Sequence, residues 1–438
     1  MAHESLNIEV HFGGSWHTAA QLLVHDSSAG IHGRTTFAYR NDYIVQHLDA
    51  MGTHDARTVS ERFPLLFEAW SHDTWPAFTV DIMPAGAARR WWQTRLSQDG
   101  LTNAELDFVL LRDHTLAPIG NLRIATSVEP VDAAIPFSKQ EVCQRSTSFL
   151  EYAAELGAAI GGATGAGGDA PKVLLAENSR GEVFPDAALP DSDVRKCWFV
   201  KWPRGRDTDR DRLVLRTEHI YAHALAQIGL DVCPGELNES EGAKPSLWLP
   251  RFDRRVTNDG LERIAVESFY SLAGVVQHGA SVSHWRFLEA LEQCTRARGQ
   301  MDSFPEMVKN YVCRDLLDVV LGNSDNHGRN KAVLRGAALT LAPIYDLAPM
   351  VMDPEGVVRT TRWAEFERAG QIDWPGICRA LGKWVDGEEM WEHLRDFAAS
   401  ILPLPDLLFD AGIDAEVLDF PRVYVGRLPQ TLEKWGLR

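Results

Sequence analysis

Three features of the chain predict an α+β fold. Short stretches of alternating apolar and polar residues run from about residue 6 to residue 40. A second group of apolar strands follows a glycine run and lies between residues 172 and 250. From residue 267 onward the apolar spacing turns mostly helical. With 438 residues, the chain is too long for one compact core and predicts two or three domains of about 150 residues each.

Composition narrows the classes of function. Hydrophobic residues make up 45% and charged residues 24%, a globular balance that excludes disordered, collagen-like and coiled-coil chains. The net charge is −17, from 44 basic and 61 acidic residues, which argues against direct nucleic-acid binding over a broad surface. A local basic pocket for a small phosphate ligand stays open. The six cysteines (Cys143, Cys197, Cys233, Cys294, Cys313 and Cys378) are scattered without a C-x-x-C pair, which reads as reduced thiols. Met1–Glu4 has no basic segment leading into an apolar one, and no apolar run reaches about 18 residues. A cytoplasmic, soluble protein without a membrane partner is the expectation.

The elements follow in order. Ile8 and Val10 alternate with polar neighbours, and Gln21–Val24 and Thr35–Tyr39 repeat the strand pattern. Phe78–Met83 reads as a strand ended by Pro84, Ala85 and Gly86, and Ala87–Leu96 as a helix. Thr102-x-x-Glu105 and Ser138-x-x-Glu141 are capping boxes, the second opening a long amphipathic helix to about Ile160. The first module is expected to end near residue 130. The glycine run Gly161–Gly168 leads into a strand at Lys172–Ala176. Cys197–Trp202 is an apolar strand carrying Lys201, and Pro203–Arg212 reads as a flexible connection. A helix from about Arg216 to Leu230 carries Glu218. Leu247–Pro250 is a short strand ending in Arg251-Phe252-Asp253-Arg254. Ser303-x-x-Glu306 is expected to cap a helix ending near Leu321, which delivers the chain into Gly322–Asn330. Two short strands then lead to Asp346, and residues 347–438 read as mostly helical.

Chemistry enters through the order of parts. The glycines are neither a Walker A motif, because no G-K-[ST] follows Gly168, nor a Rossmann fingerprint, because they precede a strand. A glycine loop covering phosphates between two strands is the protein-kinase arrangement. A lysine inside an apolar strand costs desolvation unless an anion pairs with it, although an edge-strand lysine can also snorkel to solvent. Asp325 and Asn330 stand at the D-x-x-x-x-N spacing in which Asp orients the attacking hydroxyl and Asn holds a metal. Asp346 follows after a strand, where a second metal-binding carboxylate belongs. Glycine loop, strand lysine, helix glutamate, Asp…Asn and a later Asp occur here in kinase order. Agreement of five parts in sequence is much rarer than any single match. His327 is a candidate either for nucleotide contact or for bonding within its own loop.

At these residues the chain resembles the HipA family of bacterial toxin–antitoxin serine/threonine kinases. The matching stretches are Asn323–Asn330 (NSDNHGRN), Pro343–Asp346 (PIYD), Arg251–Arg254 (RFDR) and Gly167–Lys172 (GGDAPK), with Met83–Gly86 and Phe37–Tyr39 resembling the N-terminal subdomain. The resemblance implies a protein-kinase-like two-lobed fold with an extra N-terminal β-rich subdomain and a mostly helical C-terminal lobe. The expected boundaries are 1–130, 131–255 and 256–438. ATP and Mg²⁺ are the implied cofactors, a protein is the implied substrate, and a HipB-like DNA-binding antitoxin is the implied partner.

By position, Asp325 looks like the catalytic base, with His327 beside it, and Asn330 with Asp346 like the Mg²⁺ ligands. Gly165, Gly167 and Gly168 look like the phosphate cover, Lys201 with Glu218 like the phosphate-binding pair, and Arg251 with Phe252 like the adenine-lining hinge. Where relatives carry an autophosphorylating loop serine, this chain has Gly165 with Thr164 beside it, so Thr164 is not expected to be a major phosphorylation site. Ala170 stands where relatives have Gln or Arg. Two other readings compete: a small-molecule kinase of the aminoglycoside type, and a non-catalytic scaffold for the antitoxin. Retention of Asp325, Asn330 and Asp346 together argues against the scaffold.

Overall fold

The computed structural model describes residues 3–96, 100–127, 134–145, 153, 171–204, 207–239, 244–258, 260–368 and 370–438. Its first unit is a five-stranded antiparallel sheet in the order β4-β3-β2-β1-β5. The strands are β1 (Glu4–Phe12), β2 (Ser15–Val24), β3 (Thr35–Tyr39), β4 (Ala69–His72) and β5 (Leu122–Ile124). Gly13 and Gly14, both at positive φ, form the two-residue hairpin between β1 and β2, the backbone twist that suits such a turn. Leu6, Ile8 and Val10 point inward and pack with Leu22, Phe37 and Ile124.

Helices α1 (Phe78–Ile82), α2 (Gly86–Arg95) and α3 (Asn103–Asp113) complete this unit. The Thr102 hydroxyl accepts the Glu105 N–H, and the Glu105 carboxylate accepts the Thr102 N–H, so the capping box forms as its spacing predicts. The strand expected at Phe78–Met83 is instead α1. Phe78, Thr79, Val80 and Ile82 are all buried, and a short apolar run buried on every side carries no periodicity that separates strand from helix.

Helix α4 (Lys139–Gln144) opens on the Ser138–Glu141 box but stops where Arg145 takes a left-handed conformation at φ 52°. It is therefore shorter than the helix expected to reach Ile160. The glycine run, Thr164 and Ala170 lie outside the described residues.

The second sheet has the order β7-β6-β8-β10-β9, all pairs antiparallel. Its strands are β6 (Lys172–Glu177), β7 (Val183–Pro185), β8 (Lys196–Lys201), β9 (Glu236–Asn238) and β10 (Ser246–Pro250). Between β8 and β9 runs α5 (Asp209–Gln227), a full helical turn and more ahead of the expected start at Arg216. Thr208 and Asp211 form a capping box there, and aspartate does at that position what glutamate usually does, so the expected flexible connection ends at residue 208.

Strands β11 (Arg254–Thr257), β12 (Gly260–Arg263) and β13 (Val266–Ser268) lead into the helical part, with α6 (His284–Ala297) and α7 (Phe304–Val320) at its centre. Ser303 does not cap α7: it is itself helical, at the end of a 3-10 turn, and its hydroxyl donates to the Gln300 carbonyl. Strands β14 (Ala332–Arg335) and β15 (Leu339–Leu341) join β13 in a small three-stranded sheet. Helices α8 (Trp374–Ala380), α9 (Gly387–Ser400), α10 (Leu404–Asp410) and α11 (Leu428–Lys434) close the chain around a core that includes Tyr221, Phe287, Leu316, Trp363 and Leu394. No described helix is long and apolar enough to cross a membrane.

The first unit is fastened to the helical part by buried ions. Arg298 holds the Glu61 carboxylate with two bonds of 2.8 and 2.6 Å. Glu267 accepts from the Ser60 hydroxyl, the Glu61 N–H and the Ser271 hydroxyl. Arg335, fully buried, donates to the Thr58 carbonyl and faces Glu267 at 3.4 Å. Removing one member of such a set leaves an uncompensated buried charge. Glu61→Ala should therefore lower stability by about 3–5 kcal/mol in urea unfolding. Arg40→Ala, which breaks only the exposed Arg40–Asp42 pair, should leave the unfolding midpoint unchanged.

Candidate active site

The two central strands decide what the site contains. The antiparallel register of β6 and β8 sets Lys172 directly opposite Lys201, so two lysines point from one sheet face toward the helical part. Lys201 is almost wholly buried. Its ammonium donates to Asp346 at 2.6 Å and pairs closely with Glu218, which α5 brings down from above. Lys172 faces the second Asp346 oxygen at 3.7 Å.

Burial by itself would push the Asp346 carboxyl up, but Lys172 and Lys201 together hold it well below the usual carboxylate range. Burial lowers the Lys172 ammonium to about 8, against the pull of Asp346 and with the repulsion of Lys201. Asp346 has φ 55°, a left-handed conformation uncommon outside glycine and typical of residues held in place at functional sites.

The segment after α7 spends most of its polar groups on its own shape. Asn323 donates to Asp318 and accepts the Asp325 N–H. The Ser324 hydroxyl donates to the Val357 carbonyl. Asn326 accepts the N–H groups of Thr360 and Thr361 and donates to the Thr361 carbonyl. Lys331 donates to Asp318 at 2.6 Å. A Cβ on Gly328 would lie 2.5 Å from the Tyr270 ring and 2.6 Å from the Phe287 ring, so this position needs glycine.

His327 is buried, and that burial lowers its pKa despite the neighbouring Asp325, which leaves the ring neutral. Its Nδ1 accepts the Arg329 N–H, so the ring proton sits on Nε2, 3.3 Å from the Asp325 carboxylate. His327 thus bonds within its loop and orients Asp325. Asn330 donates its amide to the Asp325 carbonyl at 2.7 Å, and its Oδ1 is buried without a hydrogen-bond partner among the described residues.

Two hollows meet at Lys201. A bay of about 1270 Å³ is mostly apolar, with Phe199, Leu249, Phe252, Ala332 and Tyr345 on its walls. A smaller chamber of about 470 Å³ is the more polar of the two, with Lys172, Arg204 and Asp325 among its walls. Lys201, Glu218 and Asp346 line both.

The structure therefore brings Lys201, Glu218, Asp325 and Asp346 together. Asn330 lines a separate hollow behind the loop, with Asp318 and Lys331. Phe252 meets the Tyr345 ring at 5.4 Å and faces the bay. The Arg251 guanidinium is committed to Asp186, Asp253 and the Pro118 carbonyl, which ties the end of β10 to the first unit. Gly165, Gly167 and Gly168 lie outside the described residues.

Sequence reading passed over two site residues. Lys172 had a signal, a second charged residue opening an apolar strand, but its meaning depends on the β6–β8 register. Arg204 follows β8 and faces Asp353 at 3.2 Å and Asp325 at 4.0 Å; nothing in the polar stretch around it marks it out.

Residues 164–402 match the family of HipA-like C-terminal domains. A protein of Sinorhizobium fredii (strain NBRC 101917 / NGR234) named "Putative kinase Y4mE" is 32% identical over 225 residues, which are 46% of this chain and 50% of the relative. The chain thus spans about half the length of the curated relative it matches. A chain from the structure described as the Shewanella oneidensis MR-1 toxin–antitoxin system HipA, HipB and operator DNA complex superposes with a TM-score of 0.65. That match has 17% identity and covers 98% of this chain and 97% of that one, a likeness of fold.

Lys201→Met would leave Glu218 and Asp346 facing one another in a buried site, at an expected stability loss of about 3–5 kcal/mol at pH 7. In the native protein the depressed Asp346 carboxyl contributes stability that is present above about pH 4 and lost as pH falls. The variant keeps the part of that contribution due to Lys172 and lacks the part due to Lys201. Its deficit in denaturant unfolding should be largest at neutral pH and should narrow below about pH 4.

Proposed function

The chain belongs to the HipA family, and from that premise we propose that it is an ATP- and Mg²⁺-dependent serine/threonine protein kinase, acting in the cytoplasm as the toxin of a toxin–antitoxin pair. The observation that carries this reading is the junction at Lys201 of a mostly apolar bay with a chamber lined by two lysines, an arginine and four carboxylates. A nucleotide has this same division between an apolar ring and a charged phosphate chain.

In this reading residues 1–130 form the N-terminal subdomain, 131–255 the nucleotide-covering lobe and 256–438 the helical lobe. Phe199, Phe252, Ala332 and Tyr345 enclose the base. Lys201, held by Glu218, and Lys172 take the phosphates, and the glycine run with Gly165, Gly167 and Gly168 is the phosphate cover that the family resemblance implies. Asp325 accepts the proton of a serine or threonine hydroxyl, with its carboxylate aimed by the His327 Nε2–H.

The residues present fit a hard divalent ion. Asp346 supplies a carboxylate in the chamber that Asp325 also lines, and such ions are held by one or two carboxylates plus phosphate oxygens; the unpartnered Asn330 oxygen, expected as a second ligand, belongs to a residue lining the hollow behind the loop. Bound there, Mg²⁺ supplies neutralisation of phosphate charge. The protein substrate and a HipB-like DNA-binding antitoxin complete the set of partners; the superposed HipA belongs to a complex with HipB and operator DNA.

Two measurements test this reading. Asp325→Asn should cut transfer of labelled phosphate from ATP to protein in a cell extract by on the order of 10²–10⁴-fold, the usual contribution of a positioned base, while circular dichroism stays unchanged; labelling at the wild-type rate would refute the assignment. Asp346→Ala should weaken ATP binding in calorimetric titrations with Mg²⁺ more than in titrations with EDTA. Equal losses under both conditions would leave Asp346 a structural role only.

A further inference from the structure

The first unit reaches into the cleft through one carboxylate. Asp81, on α1, accepts the Ser268 N–H at 3.0 Å and the Ser268 hydroxyl at 2.8 Å. Its Oδ1 lies 3.7 Å from the Nε of Arg329. Burial pushes the Asp81 carboxyl up to about 6, against the pull of Arg329 and Ser268.

Arg329 sits between Asp325 and Asn330 with its side chain 1% exposed. One of its terminal nitrogens donates to His278 Nδ1 at 2.6 Å. His278 is kept neutral by burial and by Arg329 itself, so it contributes no charge. The Tyr270 hydroxyl group is the other titratable neighbour. Among the described residues Asp81 is the only carboxylate within ion-pair distance of this buried cation, and the Arg329 Nε has no hydrogen-bond partner.

What makes this pair consequential is the backbone of Arg329. Its N–H donates to His327, the residue that aims at Asp325. Its carbonyl accepts the hydroxyl of Tyr345, the residue before Asp346. A displacement of Arg329 therefore moves two of the carboxylates of the polar chamber, Asp325 and Asp346. Asp81 and Arg329 also share the wall of the apolar bay.

We propose that Asp81 is a positioning residue: the N-terminal unit uses it to neutralise and hold Arg329, and through Arg329 it sets the loop from Asn323 to Asn330, so that docking of this unit is a condition of turnover. The activity arm of this proposal rests on the kinase reading above; the structural arm does not.

The test uses the full chain and its Asp81→Asn, Asp81→Glu and Ser268→Ala variants. Hydrogen–deuterium exchange is followed over residues 322–331 and 3–72, and ATP-dependent phosphorylation of casein gives kcat and the KM for ATP. Asp81→Asn should exchange faster over 322–331 with 3–72 unchanged. It should lose on the order of 10²-fold in kcat, the effect of a roughly 1 Å misplacement of reacting groups, with KM for ATP within twofold of wild type. Asp81→Glu keeps the charge and should restore most of kcat. Wild-type exchange over 322–331, or faster exchange spread equally over 3–72, would overturn the proposal; so would loss of kcat in Asp81→Glu equal to that in Asp81→Asn. If Asp81→Asn cannot be isolated folded, Ser268→Ala removes one anchor of the carboxylate and decides by the same readouts, with the same changes in weaker form expected and wild-type behaviour overturning. If the wild-type protein phosphorylates nothing, the kinase reading fails, and the exchange data still decide whether Asp81 holds the loop.

Discussion

A lysine ammonium held almost entirely out of water is the constraint around which this structure is organised. Burying Lys201 unpaired would cost several kcal/mol after every relaxation the protein could make. Two carboxylates offset that cost, and they come from different parts of the chain: Glu218 from a helix and Asp346 from the turn after a strand. Sheet, helix and C-terminal lobe must therefore converge on one point. The cleft is the space left where they meet. Lys172 extends the same logic, since a second cation on the facing strand keeps Asp346 ionised even in a buried setting.

Around that point the structure separates groups that build from groups that are left over for chemistry. In the loop after α7, Asn323, Ser324 and Asn326 each satisfy backbone or side-chain groups nearby, as a buried irregular segment requires. The Asp325 carboxylate is different, because His327 and the more distant Arg204 are the groups facing it, and the Asn330 Oδ1 is different too, because it is buried and unpartnered. Leftover hydrogen-bonding capacity marks a site better than the abundance of polar residues does, and here it lies on Asp325 in the chamber and on Asn330 at the hollow behind the loop. Buried arginines do the reverse work. Arg251, Arg254, Arg298 and Arg335 are consumed in joining the first unit to the rest.

Much of this is legible in the sequence. Strands with one buried face showed their period of two, as at Leu6, Ile8 and Val10, and capping boxes at Thr102 and Ser138 marked helix starts to the residue. The failures share a cause. Phe78–Ile82 is buried all round, so its pattern does not discriminate between helix and strand. Ser303 has the spacing of a cap, but a 3-10 turn before it had already placed it inside the helical conformation. Arg145 ends its helix by a left-handed conformation, which no glycine or asparagine marks in the sequence.

By itself the sequence determined the identity and order of the reactive groups: a strand lysine, a helix glutamate, an Asp and Asn five apart, and a later Asp. These are local facts, because spacing along one element sets which residues share a face. Only tertiary structure decided which of them meet. The β6–β8 register put Lys172 into the site, and the docking of the first unit put Asp81 beside Arg329. It also assigned Arg251 to an ion network and left Asn330 facing a separate hollow. Lys172 and Lys201 lie 29 positions apart and Asp81 and Arg329 248 apart, and no local rule links them. They are fixed by the need to neutralise each charge that the packing removes from water.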